Sequence, residues 1–220
     1  MNTAALGTVL IGGLAALDAT PVAQTLASQP LVTATVLGVL WGDWRTAMGV
    51  GVVLQVLAAS TLPVGARTPE DYAVGGVVGT GAALAVAAGA PFEPWRDGAM
   101  LIGVFAGMLA ATASVPALKW QRRLNEGLAR WCEARLHEGD EGALGRAHGA
   151  AIALSFGVGV ACTAFALALV VPVARGVVQH ESLRLARAWM LAHNTPRPGG
   201  KLPPSPELAA CSSHQFGEMI

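Results

Sequence analysis

The sequence predicts an all-α protein, a polytopic transmembrane helical bundle with short or re-entrant half-helices in its N-terminal third. Of the 220 residues, 53% are hydrophobic and only 13% are charged, which is about half the charged share of ordinary soluble domains. The apolar residues are grouped into long segments without charge. A soluble helix instead alternates apolar and charged positions with helical periodicity. Both observations indicate a protein folded in lipid.

Six segments carry no charged residue, and three of them are long enough to cross a bilayer. A transmembrane helix needs about 20 apolar residues, and residues 73–91, 98–118 and 149–174 approach or exceed that length. We therefore expect a membrane domain over residues 1–178. For residues 179–220 we expect a surface helix followed by a flexible tail, because proline and glycine are dense after residue 195 and prevent regular structure. Residues 181–193 fit either that surface helix or an extension of the last span.

The N-terminal third has two apolar segments that are too short to span a membrane singly. Residues 31–41 and 46–60 are separated by the sequence Gly42-Asp43-Trp44-Arg45. As one helix they would place Asp43 and Arg45 near the middle of the membrane, where a charge is costly. We therefore expect two half-helices that meet at a polar turn within the membrane, an arrangement typical of transporter binding sites.

Small and basic residues suggest packing and orientation. Pairs of small residues four positions apart, such as Gly75 with Gly79 and Gly103 with Gly107, favour close helix packing. The densest group of basic residues falls in an expected loop over residues 119–146, which places that loop in the cytoplasm. Tryptophans at segment ends suit an interfacial belt, although those beside the polar turn could line a pocket instead. These four are Trp41, Trp44, Trp95 and Trp120.

The composition argues against several classes of function. The 14 basic and 14 acidic residues cancel, so the chain has no excess positive charge for nucleic acid. The three cysteines and five histidines do not have the spacing of a metal or redox site. No nucleophile elbow or Walker loop is present. The sequence thus predicts neither an enzyme nor a bound cofactor.

The residues most suited to binding a solute are polar side chains in or beside the short segments. Asp18, Asp43, Thr46 and Gln55 are the main candidates. Together they would offer hydrogen-bond donors and acceptors to a polar, uncharged solute such as a sugar. Structural roles are equally compatible with the sequence: Asp43 could cap the helix that begins near Thr46, and Gln55 could bond to a neighbouring helix.

One extended motif resembles a known transporter family. The stretch runs from Asp18 through Gln29-Pro30-Leu31 to Leu37-Gly38-Val39-Leu40-Trp41-Gly42-Asp43-Trp44-Arg45-Thr46 and on to Gln55. It resembles the IIC permease subunit of the mannose/sorbose family of the bacterial phosphoenolpyruvate-dependent sugar phosphotransferase system, over about residues 6–178. Gln29 stands where the family usually has arginine, and Gln55 where we expect glutamate, so the chain resembles a shortened, divergent member.

The resemblance implies a function and a set of partners. A IIC subunit is a multi-pass protein of the bacterial inner membrane that provides the sugar path and carries no phosphoryl group itself. It works in an oligomeric complex with a IID membrane subunit, while soluble IIA and IIB proteins pass a phosphoryl group to the sugar, a hexose or amino sugar. The resemblance also implies Asp18, Asp43, Thr46 and Gln55 as substrate-binding residues. Two alternatives remain: a non-transporting scaffold that binds a IID-like partner through its small-residue faces, and a channel for a small solute.

Overall fold

A computed structural model of the chain describes residues 3–19, 25–60, 70–89 and 94–194. Within these residues every regular element is an α-helix, which confirms the predicted fold class. The chain divides into two compact units, residues 1–178 and residues 179–220. The helices are α1 (Thr3–Ala19), α2 (Pro30–Trp41), α3 (Trp44–Ser60), α4 (Tyr72–Ala87), α5 (Pro94–Ala113), α6 (Val115–His137) and α7 (Ala143–Asn194).

Among the described residues, two helical stretches are long and apolar enough to cross a membrane. They are Trp95–His137, which joins α5 to α6, and Ala143–Val178 within α7. The remaining helices are apolar but shorter. The predicted span over residues 73–91 is one of these, because α4 has 16 residues and is therefore only about 24 Å long. Residues 181–193 belong to α7 in their backbone.

The expectation of a loop over residues 119–146 is wrong, because almost all of this stretch is helical. Helix α6 continues to His137, and α7 begins at Ala143 after a short turn. The sequence misled because a dense run of charges is typical of loops and of exposed helices alike. The helical solution buries Gln121 and Cys132 on one face and exposes the basic side chains.

The predicted break between α2 and α3 is confirmed at Gly42. Its φ of 71° is in the left-handed region, which favours glycine. The amide of Gly42 donates to the carbonyl of Val39, and the amide of Asp43 donates to that of Gly38. This pair of bonds is a Schellman motif, which ends α2 and reverses the chain into α3.

Helices α4 and α5 pack closely through the predicted small residues. A Cβ atom on Gly79 would lie 2.6 Å from the carbonyl oxygen of Gly103, and one on Gly75 would lie 2.7 Å from that of Gly107. Neither position tolerates a side chain without moving backbone. The four-residue spacing therefore marks a helix contact within the chain itself.

Helices α3 and α5 run side by side in the same direction. Asp43 pairs with Arg96 at 3.9 Å, Val50 packs at the surface of Gly103, and Leu54 at that of Gly107. Each contact joins a residue of α3 to the residue 53 positions later on α5. By this register residues 44–60 of α3 are level with residues 97–113, which are nearly the whole of α5.

This register shows where the polar turn lies relative to the lipid. The charge-free residues 98–118 form about 31 Å of helix, which matches the hydrocarbon thickness of a bilayer. Asp43 is level with Arg96, just outside this segment. Relative to this charge-free segment the turn is therefore at one end and not at the middle, where the sequence analysis expected it. We call this end the turn end of the bundle and the opposite end, where α6 begins, the cavity end.

Candidate functional site

A polar cavity of about 480 Å³ occupies the cavity end of the first unit. Its volume is within the range of small-molecule sites, roughly 300–1,000 Å³. Alanine, valine and glycine form much of its wall, and polar groups enter from several helices. The lining residues with polar side chains are Ser28, Gln29, Gln55, Glu70, Asp71, Tyr72, Ser114, Gln121, Arg122 and Cys162.

The cavity extends to the middle of the predicted membrane thickness. By the register with α5, Gln55 is level with Met108, about 15 Å from either end of the charge-free segment. The first residue of α2 is at a similar depth, since a Cβ on Gly76 of α4 would lie 2.9 Å from the Cα of Pro30. Helix α2 thus begins level with the middle of the charge-free segment. The chain breaks at this level at Gln29–Pro30, whereas the Gly42 turn is level with one end of the segment.

Gln55 of α3 connects its helix to the beginning of α2 at this break. The first amides of a helix have no partner within the helix, and the Gln55 side-chain oxygen accepts a hydrogen bond from the amide of Leu31 at 3.3 Å. This is the interhelical bond that the sequence left open as a structural role. Because Gln55 also lines the cavity, the same contact holds its amide beside any bound solute.

Asp18 holds the segment before α2, which forms part of the cavity wall. Its carboxylate accepts bonds from the Thr25 amide and hydroxyl, both at 2.7 Å, and from the Ser28 amide at 2.8 Å. These three bonds order the segment that leads into α2, and Ser28 and Gln29 of that segment line the cavity. Asp18 therefore acts as a positioning residue.

The opposite wall contains residues that the sequence analysis missed. Gln121 of α6 donates to the Ser155 hydroxyl of α7 at 2.7 Å, and both residues are buried. Asp71 accepts from the amide of Val74 at 3.2 Å and caps α4. An aspartate directly before an apolar segment was a usable capping signal for Asp71. Gln121 gave no such signal, because it fell in the supposed loop.

Asp43 and Thr46 are placed together, but at the turn end. Asp43 accepts from the Thr46 amide at 3.2 Å and from its hydroxyl at 2.8 Å, so it caps α3 as the structural interpretation predicted. Thr46 is 1% exposed. The structure thus brings Asp18 and Gln55 to the start of α2. It places Thr46 about 13 Å and Asp43 about 18 Å from Gln55 along the axis of α3.

A second cavity, of about 420 Å³, is mainly apolar and lies between α1, α4 and α7. Trp41 lines it and donates its indole N–H to the Thr8 hydroxyl at 3.0 Å, so this tryptophan faces a pocket. Trp44 and Trp120 are 70% and 54% exposed, as residues of an interfacial belt would be. Apart from Thr8, Trp41 and Arg175, the wall of this cavity is Ala, Gly, Val, Leu and Pro, so the polar cavity is the better candidate site for a hydrophilic solute.

Comparison with known proteins identifies the family. The family model described as "PTS system sorbose-specific IIC component" matches residues 3–193, most of the chain. No curated protein matches. The match includes both cavities and the α2–α3 hairpin, and it agrees with the family that the motif between Asp18 and Gln55 resembles. The chain therefore belongs to the family of sorbose-specific IIC components of the phosphotransferase system, which are membrane-embedded permease subunits.

Proposed function

We propose that the chain provides the sugar path of a phosphoenolpyruvate-dependent phosphotransferase system in a bacterial inner membrane, and that the polar cavity is its sugar-binding site. The supporting observation is a cavity that reaches Gln55 at mid-membrane depth beside the beginning of a broken helix. Broken helices with this placement form the substrate sites of many transporters.

The cavity has the chemistry that a hexose or amino sugar needs. A sugar presents several hydroxyl groups, each both donor and acceptor, and no fixed charge. The amides of Gln29, Gln55 and Gln121 offer both kinds of partner, and Asp71 adds an acceptor. Alanine-rich walls leave room for the ring. The family description makes sorbose the first sugar to test.

The direction of the cavity supports release into the cytoplasm. It lies at the end where Lys119, Arg122 and Arg123 are exposed, and basic residues near a span favour the cytoplasmic side. A sugar held there would face the soluble IIA and IIB proteins that carry the phosphoryl group. We propose these proteins and a IID membrane subunit as partners in an oligomeric complex.

Asp43 and Thr46 contribute to the path indirectly in this proposal. Their mutual hydrogen bonds and the pair with Arg96 fix the beginning of α3, and α3 carries Gln55 into the cavity. The scaffold alternative required the small-residue faces for a partner. The small-residue faces formed by Gly75, Gly79, Gly103 and Gly107 are already occupied by the contact between α4 and α5. These four residues therefore do not offer a free surface to a partner.

The test is phosphoenolpyruvate-dependent uptake of labelled sorbose, mannose and glucosamine by vesicles containing the partner proteins with and without this chain. We expect uptake only with the chain. Gln55→Leu should abolish it, whereas Gln55→Glu, which keeps an acceptor for the Leu31 amide, should retain transport. Ser60→Ala is the control, because Ser60 is exposed and bonds only its own helix at Leu57. Uptake by the Gln55→Leu protein at the unmodified rate would refute the assignment of the site.

A further inference from the structure

Three cationic side chains at the cavity end have no partner among the described residues. Lys119, Arg122 and Arg123 are exposed, and none forms an ion pair there. Two arginines nearer the turn between α6 and α7 do form ion pairs. Arg135 pairs with Glu138 and Asp140, and Arg146 pairs with Asp140.

The spacing of the three cations concentrates their charge. Positions i, i+3 and i+4 of a helix share one face, with Cβ atoms about 5–6 Å apart, and like charges at this spacing repel one another. The next acidic residue along the helix, Glu126, is three and four positions after Arg123 and Arg122, but it forms no ion pair with either among the described residues. An anion bound across this face would relieve the repulsion.

The charge pattern of α5 and α6 places this face at the membrane boundary, and the length of α7 beyond the same level is compatible with it. Lys119 is the first charged residue after the charge-free residues 98–118. The hydrogen bond from Gln121 to Ser155 brings α7 to the same level, and from Ser155 the charge-free part of α7 continues to Arg175. That is about 30 Å of helix, again one hydrocarbon thickness. Trp120, at the same level, is 54% exposed, as suits the headgroup region.

We propose that Lys119, Arg122 and Arg123 form a binding site for the phosphate of an anionic phospholipid. The occupant is a lipid because the cations lie at headgroup depth and next to an exposed tryptophan. Arg122 also lines the polar cavity, so the bound headgroup stands beside its mouth. The site adjoins the sugar site, because Arg122 belongs to both, but lipid binding does not depend on the proposed transport activity.

The test measures lipid binding by the full chain in neutral detergent, using native mass spectrometry with phosphatidylglycerol and phosphatidylcholine as probes. Each lysine or arginine near an anionic lipid surface strengthens binding by about 1 kcal/mol, which corresponds to about a fivefold change in affinity. We therefore expect the Lys119→Gln/Arg122→Gln/Arg123→Gln protein to bind phosphatidylglycerol about 100-fold more weakly. Circular dichroism should show unchanged helix content, since all three side chains are exposed.

The matched comparison is Arg122→Gln against Arg130→Gln. Both arginines are exposed on α6 and unpaired among the described residues, but Arg130 is about 12 Å further from the boundary. Only Arg122→Gln should weaken phosphatidylglycerol binding. Equal loss in both variants, unchanged binding in the triple variant, or equal affinity of the unmodified chain for the two lipids would overturn the proposal.

Discussion

At the level of single residues, the sequence located the important polar groups better than it located their roles. Asp18 and Gln55, two of the residues that the family resemblance implied, both contact the start of α2 through bonds to Ser28 and Leu31. Asp43 and Thr46 belong instead to a helix cap. Asp71 and Gln121 escaped notice because only the packing of α4, α6 and α7 brings them to the cavity.

The cap predicts how Asp43 responds to substitution. Asparagine caps a helix as well as aspartate does, so Asp43→Asn should keep both sugar uptake and thermal stability close to those of the unmodified protein. Asp43→Ala removes the acceptor of the Thr46 amide and should cost roughly 1 kcal/mol of stability. Thermal unfolding in detergent and uptake in vesicles measure the two effects. Loss of uptake by the Asp43→Asn protein at normal stability would instead show that the carboxylate contacts the sugar.

At the level of helices, pattern reasoning succeeded where local chemistry determines the structure. Gly42 ends α2 in the left-handed backbone conformation, and Asp43 directly after it caps α3. The break between the two helices is therefore where the sequence predicts it. It failed where depth and context decide. The sequence gives no measure of depth, so the turn was expected in mid-membrane, and charge density alone did not distinguish an exposed helix from a loop over residues 119–146.

The α4–α5 contact gives a prediction about packing. Gly79→Ala places a Cβ 2.6 Å from the Gly103 carbonyl oxygen and should destabilise the bundle by roughly 1–3 kcal/mol through overpacking. Gly157→Ala is the control, because nothing lies within 4 Å of its Cβ position in the middle of α7, and alanine is the better helix former. Denaturation midpoints of the two variants should move in opposite directions. A lower midpoint for Gly157→Ala alone would contradict this description of the contact.

At the level of the whole first unit, the fold places the polar cavity toward one end of the bundle and apolar helices, with the second, mainly apolar cavity between them, toward the other. On the turn-end side of Gln55, the fully buried residues Val50, Leu54 and Ala83 fill the interior of the bundle. On the cavity-end side of Gln55, the cavity continues to Arg122. The fold class and the family could be predicted from composition and one motif, whereas this asymmetry depends on the register of α3 with α5.

The central claim is that a sugar occupies the cavity beside Gln55, and Cys162 offers a native reporter, because this free, half-buried cysteine lines the cavity. In a Cys132→Ser/Cys211→Ser background, a small thiol reagent should modify Cys162. Sorbose or another transported sugar at ten times its Kd should slow that modification by about tenfold, and should give no protection in the Gln55→Leu protein. Modification at an unchanged rate under saturating sugar would contradict the account.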